Sequence, residues 1–402
     1  MFIPPGKIYM EMQSDSFGIW ITEVEGNDYP HIIAKLPTNV IKSIYNGVDT
    51  FLNIAIYEHQ GQNILVLGLF IMDNLKYPYN TYQIISKESE GKLFLSLLKN
   101  NNKEWHIHFF DELARPLVSS VCNVDKMESE KLLSTLNNLI LYYGDVRKLD
   151  DAIFDKYKAD IEQIFINKFF EPSTIFYKFK CEFIFSNPVN IIGVGTGEFK
   201  IDDEDEGGGL EQQIFQLIES LYGDSRSYRS PQIYKKDKLR ELTDILAWDE
   251  KHICIIESKV MSIFNIESDR ISERFTLNIE KQIKKALNQL CGATKSIKRN
   301  ETIFSQLNNI IKIPNESIET IHCIVIISEM YPNLNWNDWA LKLIEINNKY
   351  KIMIHIIDLE ELHKLIVSSK NPTEIRISLL SRWNKMLEVK SAFIRGKLRT
   401  KK

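Results

Sequence analysis

Cysteine is sparse and never clustered in this chain: Cys122, Cys181, Cys254, Cys291 and Cys323 stand singly, with no CxxC pair among them. Such spacing speaks against a disulfide framework or a thiolate zinc site and leaves small buried thiols as the ordinary reading. Long apolar runs are missing too. The longest, ILVLGLFIM at 64–72, falls well short of the roughly 18 residues that a membrane helix needs. The N-terminal MFIPPGKIYM has no apolar core of the signal-peptide kind, so a cytoplasmic protein with no membrane partner is the expectation. Histidine is dispersed. His106 and His108 alternate in WHIHFF and share one strand face, but no further ligands cluster near them, so they read as strand-surface histidines.

The 402 residues, 44% of them hydrophobic, are enough for two or three domains. The net charge of −4 is unremarkable, but its distribution is not. Residues 1–206 carry 19 Lys and Arg against 30 Asp and Glu, whereas residues 207–402 carry 31 against 24. The second half is therefore the one suited to a polyanion.

Over the first 125 residues, short β-like runs alternate with polar breaks: FGIWITEV, TFLNIAIYEH, NILVLGLFIM, KLFLSLL and EWHIHFF. They predict a β-rich N-terminal domain over residues 1–200. ESEKLLSTLNNLILYY and LDDAIFDKYKADIEQIFINKFF read as amphipathic helices within it, and IFYKFKCEFIF and VNIIGVGTGEFKI as closing strands. The GVGTG of the last run is not a phosphate loop, because an acidic stretch rather than a helix follows it. That stretch, IDDEDEGGG at 201–209, predicts an exposed linker.

From 207 to 402 the order is regular. LEQQIFQLIESLYG is a helix closed by Gly223. PQIYKK, TDILAWD and HICIIESKV are strands, with the last two joined by a DEKH hairpin turn. FTLNIEKQIKKALNQLCGATKSI is a long helix with Ile279, Ile283, Leu287 and Leu290 on one stripe. IHCIVIISE and KIMIHIIDL are later strands, with NDWALKLIEINNKY crossing between them. The pattern is αβββαβ followed by αβ, a mixed sheet with packed helices and an α+β or α/β class.

Strand alternation places Glu257 and Lys259 on the face of Ile253 and Ile255, and the hairpin brings Asp244 toward the same rim. Two neighbouring carboxylates repel unless a proton or cation lies between them. Mg²⁺ suits such hard oxygen ligands, and a lysine beside it can serve a metal-bound water or a phosphoryl group. Asp244, a spacer of twelve residues and Glu257-Ser258-Lys259 resemble the D-x(n)-(D/E)-x-K signature of the PD-(D/E)xK nuclease superfamily, the restriction-endonuclease-like fold. The resemblance covers about residues 207–365. Thr243 stands where the signature has proline, and Ser258 is less apolar than usual.

The resemblance implies a Mg²⁺- or Mn²⁺-dependent DNA endonuclease. Asp244 and Glu257 would bind metal together with Glu211 and the Ser258 carbonyl, Glu219 being a weaker candidate. Lys259 would be catalytic, and Gln282 would reach the site from the long helix, where Gln282, Lys285 and Gln289 share a face. Arg226, Arg229, Lys235, Lys236, Lys238 and Arg240, interleaved with Tyr222, Tyr228 and Tyr234, suit phosphate contacts and base stacking. Arg229, Lys235, Lys236, Lys285 and Gln289 are the leading nucleic-acid contacts. The tail IRGKLRTKK reads as a solvated end. The same resemblance implies a restriction or anti-phage setting, with the N-terminal domain sensing or driving homo-oligomerisation. The alternatives are a nuclease-fold binding or scaffold protein without turnover, and a ribonuclease.

Overall fold

The computed structural model describes residues 2–14, 17–26, 29–73, 78–100, 104–144, 149, 151–166, 175–186, 191–192, 198–199, 206–236, 238–259, 271–327, 330 and 334–396. The chain is mixed α+β and forms two compact units. One is built from Met1–Asn190 and Lys200–Asp202, the other from Ile191–Phe199 and Asp203–Lys402. Among the described residues no helix is long and apolar enough to cross a membrane. The five cysteines are free thiols, and only Cys291 is not fully buried.

The first unit runs α1 (Gly6–Ser14), β1 (Gly18–Thr22), β2 (His31–Lys35), α2 (Thr38–Tyr45), β3 (Thr50–His59), β4 (Gln62–Ile71), β5 (Tyr79–Ile85), α3 (Glu88–Lys99), β6 (Glu104–Phe110), β7 (Pro116–Asn123), α4 (Lys126–Leu136), α5 (Asp151–Ile166), β8 (Ile175–Lys180) and β9 (Glu182–Phe185). The strands form a five-stranded sheet, β1-β2-β6-β7-β9, and a four-stranded antiparallel one, β5-β4-β3-β8. Two expectations change here. KLFLSLL belongs to helix α3, because Gly91, Phe94, Leu97 and Leu98 bury one helical stripe and Glu88 and Glu90 favour the first turn. IFYKFKCEFIF is not one strand: it breaks at Cys181, sending β8 to β3 and β9 to β7.

His108 is not a surface residue, and His106 is half-buried. His108 is buried, its Nε2 lies 2.8 Å from Nδ1 of the buried His31 and its Nδ1 2.7 Å from Ser119 Oγ; Tyr29 Oη stands 2.8 Å from His106 Nε2. The parallel pairing of β2 with β6, absent from the sequence pattern, brings the three rings together. Burial holds all three imidazoles below their usual pKa, His31 at about 4 and His108 at about 3.

The second unit contains the hairpin β10 (Ile191–Ile192) and β11 (Glu198–Phe199), then α6 (Glu206–Tyr222), β12 (Ser227–Arg229), β13 (Gln232–Lys235), β14 (Lys238–Glu241), β15 (Ile245–Trp248), β16 (His252–Lys259) and α7 (Ile271–Lys298). It continues with β17 (Ile303–Phe304), β18 (Ile310–Ile311), β19 (Thr320–Ile327), α8 (Trp336–Tyr350), β20 (Met353–Asp358), α9 (Leu359–Val367) and α10 (Pro372–Val389). GVGTG, residues 201–205 of the expected linker and the last six residues of the tail lie outside the described residues. Gly207, Gly208 and Gly209 are not linker but part of α6, which ends where Gly223 takes φ +80°.

The main sheet of this unit has the order β12-β15-β16-β19-β20, antiparallel from β12 to β16 and parallel from β16 to β20. The PQIYKK strand, β13, is not its third member. It pairs with β14 and β17 in a separate four-stranded sheet, β14-β13-β17-β18, and the short β12 takes the expected edge place. Helix α7 lays Ile279, Ile283, Leu287 and Leu290 on the sheet face of Leu246, Ile253 and Ile255, in one continuous core. Across the opposite face run His252, His322 and His355, all buried, with His322 Nδ1 3.1 Å from His355 Nε2 and Tyr222 Oη 2.6 Å from His252 Nε2.

Candidate active site

The hairpin of β15 and β16 sets the site. Ile245 faces Ile256 across the antiparallel ladder, so Asp244, just before β15, stands beside the end of β16. Its Oδ2 accepts the Ser258 amide at 2.6 Å and the Ser258 hydroxyl at 2.9 Å. Thr243, in the place of the signature's proline, donates its hydroxyl to the Ile256 carbonyl at 2.8 Å and so ties the same corner. Sequence reasoning gave Ser258 only a carbonyl role and Thr243 none. The sole available signal was that both are small hydroxyl residues flanking the acidic pair.

Glu257 follows Ile253 and Ile255 on the face covered by α7 and is 0% exposed. Burial, and then the charge of Asp244, raise its carboxyl pKa to about 7, although Lys259 pulls the other way. The Lys259 ammonium donates to Glu257 Oε2 at 2.9 Å and to the Ser258 carbonyl at 2.8 Å, and stands 3.9 Å from Asp244 Oδ2. The other oxygen, Glu257 Oε1, is buried without a hydrogen-bond partner. Thus the structure brings Asp244, Glu257 and Lys259 together, with a bare carboxylate oxygen among them.

The remaining candidates divide. Glu211 Oε2 lies 3.5 Å from the Arg229 guanidinium, and its carboxyl pKa is raised by burial and then by the nearby Asp244. Arg229 also donates to Gln212 Oε1 at 2.7 Å, so this cation is held by α6. Glu219 lies two turns further along α6. Tyr222 is buried against His252, and Tyr228 stacks on Trp248 at 5.6 Å, which leaves Tyr234 as the exposed ring of the three. Lys236, Lys238 and Arg240 are exposed at and beyond the β13–β14 turn.

A cavity of about 340 Å³ opens over Glu257 and is lined by Lys235, Glu241, Lys285, Asn288, Gln289 and Gly292, among others. It gathers Lys235, Lys285 and Gln289 from the sequence expectation and adds Asn288. Gln282, one turn before Lys285 on α7, is half-buried and not part of this lining.

Two carboxylates, one of them with the unpartnered Glu257 oxygen, and the Ser258 carbonyl are a hard-oxygen donor set of the kind that suits Mg²⁺ or Mn²⁺ with several retained waters. Among the described residues no three His, Cys, Asp or Glu side chains are gathered to hold a metal ion. Any such ion would therefore rest on the acidic pair, the carbonyl and water. The chain matches no protein-family model, and it has no significant match among curated proteins or solved structures.

Proposed function

We propose that the second unit is a divalent-metal-dependent endonuclease that hydrolyses DNA phosphodiester bonds, with a restriction-endonuclease-like core made of α6, β12, β15, β16, α7 and β19. One observation carries this reading: a fully buried glutamate with one bare oxygen faces Asp244 across a single lysine, beneath a cavity lined by Lys235, Lys285 and Glu241. Strongly shifted carboxyls in a cleft are the usual mark of a working site. Asp244, Glu257 and the Ser258 carbonyl would hold Mg²⁺ or Mn²⁺. When bound, the ion supplies an activated water and a Lewis acid toward the phosphate.

The other roles belong to the chain itself. Ser258 and Thr243 fix the corner from which Asp244 projects. Lys259 holds a positive charge at the acidic pair, where it can steady the attacking water or the charge that grows on the phosphoryl oxygens. Lys235, Lys285 and Gln289 hold the nucleic acid at the cavity mouth. The family resemblance extends the proposal to a restriction or anti-phage setting in which the first unit senses or oligomerises.

The test is incubation of the purified chain with plasmid DNA and with RNA, with Mg²⁺, with Mn²⁺ and with chelator. Metal-dependent DNA cleavage is expected, abolished in Asp244→Asn and slowed on the order of 10²-fold in single turnover by Lys259→Ala. A second reading, nucleic-acid binding without turnover, is favoured by the salt bridges from Lys259 that already neutralise the acidic pair. It prevails if DNA is bound equally with and without metal and never cut, and cleavage confined to RNA makes the chain a ribonuclease.

A further inference from the structure

Helix α7 carries a second stripe of which the catalytic reading uses only the first residues. Lys285, Asn288, Gln289, Gly292 and Lys295 recur at helical spacing along it, with Arg299 just past its end, opposite the apolar residues that enter the core. At 1.5 Å per residue this polar stripe is about 21 Å long. Its first half lines the cavity over Glu257; its second half lines another, of about 590 Å³, whose far wall is Tyr234 of β13 and Phe304 of β17. The two cavities share Lys235 and Gly292, so they form one groove along α7.

The lining has the chemistry of a single nucleic-acid strand. Lys235, Lys285, Lys295 and Arg299 space four cations along it; Glu241, Glu257 and Glu301 are its carboxylates, with Glu257 held by Lys259 and Glu301 within 3.9 Å of Arg299. Tyr234, 57% exposed, stands edge-on to Phe304 at 5.4 Å and 90°, so its ring is braced while much of it remains open to solvent. Gly292 is the most telling residue. A glycine inside a helix costs about 1 kcal/mol relative to alanine. Yet a Cβ added at Gly292 meets no atom within 4 Å, so packing does not require it. A bare turn at the point where the two cavities join is what a passing strand needs.

We infer that the groove from Glu257 to Tyr234 and Phe304 binds a single-stranded segment of the nucleic-acid substrate. Its phosphates lie on Lys235, Lys295 and Arg299, a base stacks on Tyr234, and the backbone crosses Gly292. The inference rests on the proposed nuclease reading for the substrate class, but its test does not require cleavage.

The wild-type chain is titrated, in chelator, against a fluorescent single-stranded oligodeoxynucleotide and against the blunt duplex of the same sequence. Tighter binding of the single strand is expected. Tyr234→Ala should weaken that binding about tenfold, the loss of one stacked base. Joint replacement of Lys295 and Arg299 by alanine should lower the salt slope by about 1.4, near 0.7 per phosphate on a single strand. Gly292→Leu should obstruct the groove and weaken binding while melting no lower than wild type, because leucine favours the helix. Binding within twofold of wild type in both Tyr234→Ala and Gly292→Leu overturns the groove, as does equal affinity for the duplex. If the groove variants behave as expected and wild type cuts nothing in Mg²⁺ or Mn²⁺, the groove stands and only the nuclease reading falls.

Discussion

Glu257 is held in the fold at a cost that its own titration reveals. Its carboxyl has a pKa of about 7 in the folded chain against 4.5 in an ordinary setting. A raised folded pKa means that this group's contribution to stability is fully present below about pH 4.5 and is lost as pH rises through 7. At pH 8 the ionised side chain should destabilise the fold by on the order of 3 kcal/mol. Glu257→Gln should therefore melt several degrees above wild type at pH 8, with the gap closing at pH 5, even as the proposed cleavage disappears. Thermal denaturation of both chains at the two pH values measures this, and coincident melting curves at pH 8 would remove the case for a strained carboxylate.

Among the elements, the β15–β16 hairpin does two things: it pairs in the main sheet and, through Ser258, aims Asp244. Ser258→Ala removes the hydroxyl bond to Asp244 and should cost about 1–2 kcal/mol, as befits a buried bond to a charged acceptor. The loss should shrink to nearly nothing in an Asp244→Ala background, because the hydroxyl then has no carboxylate to serve. Denaturant midpoints of the four chains check this. An undiminished cost in the double variant would mean that Ser258 stabilises β16 in some other way.

The hairpin also shows what can be read from sequence. Alternation along HICIIESKV gave Glu257 and Lys259 a common face, and a four-residue connection gave Asp244 its neighbourhood, because both are local rules of a pleated strand. The apolar stripe of α7 and the Gly223 cap were legible for the same reason. By contrast, β12 is three residues long and has no period to detect, and β13 looks like any edge strand until β17 arrives from seventy residues away. KLFLSLL fits helix and strand equally as a short apolar run, and tertiary burial decided for helix. Arg229 was expected at nucleic acid, but Gln212 and Glu211 on α6 hold it, a contact that only packing creates.

At the scale of the whole molecule, each unit gathers three histidines, all buried in the second unit and two of them, His31 and His108, buried in the first. Burial holds His31, His106 and His108 low in the first unit and His252, His322 and His355 low in the second, with His322 at about 3. A His whose folded pKa is depressed leaves the unfolded chain to take up the proton first. Stability is then fully present above about pH 6.5 and falls as pH drops toward 4 and below. Glu112, raised by burial to about 7, and Glu257 work the opposite way between about pH 7 and 4.5. His31 and His108 in the first unit, and His322 with its two neighbours in the second, oppose the raised carboxyls Glu112, Glu211 and Glu257, and the fold should loosen as pH falls toward 4. The chain should keep its near-ultraviolet circular dichroism from pH 8 to about 6 and lose it cooperatively between about pH 6 and 4. His322→Gln should move that transition to lower pH, and an unmoved midpoint would relieve the sheet-face histidines of this role.

Helix α7 belongs to the core on one side and to the groove on the other, and the two sides do not hold it equally. Ile283, Leu287, Leu290 and Ala293 clamp one side of the helix to the sheet, whereas on the groove side Gly292 has no side chain to shield its peptide groups. The groove-side amides at this glycine should exchange measurably in the unbound protein. A strand lying across the glycine would cover those peptides from water, so occupancy would be recorded in the backbone itself as slowed hydrogen exchange on the groove side of the helix.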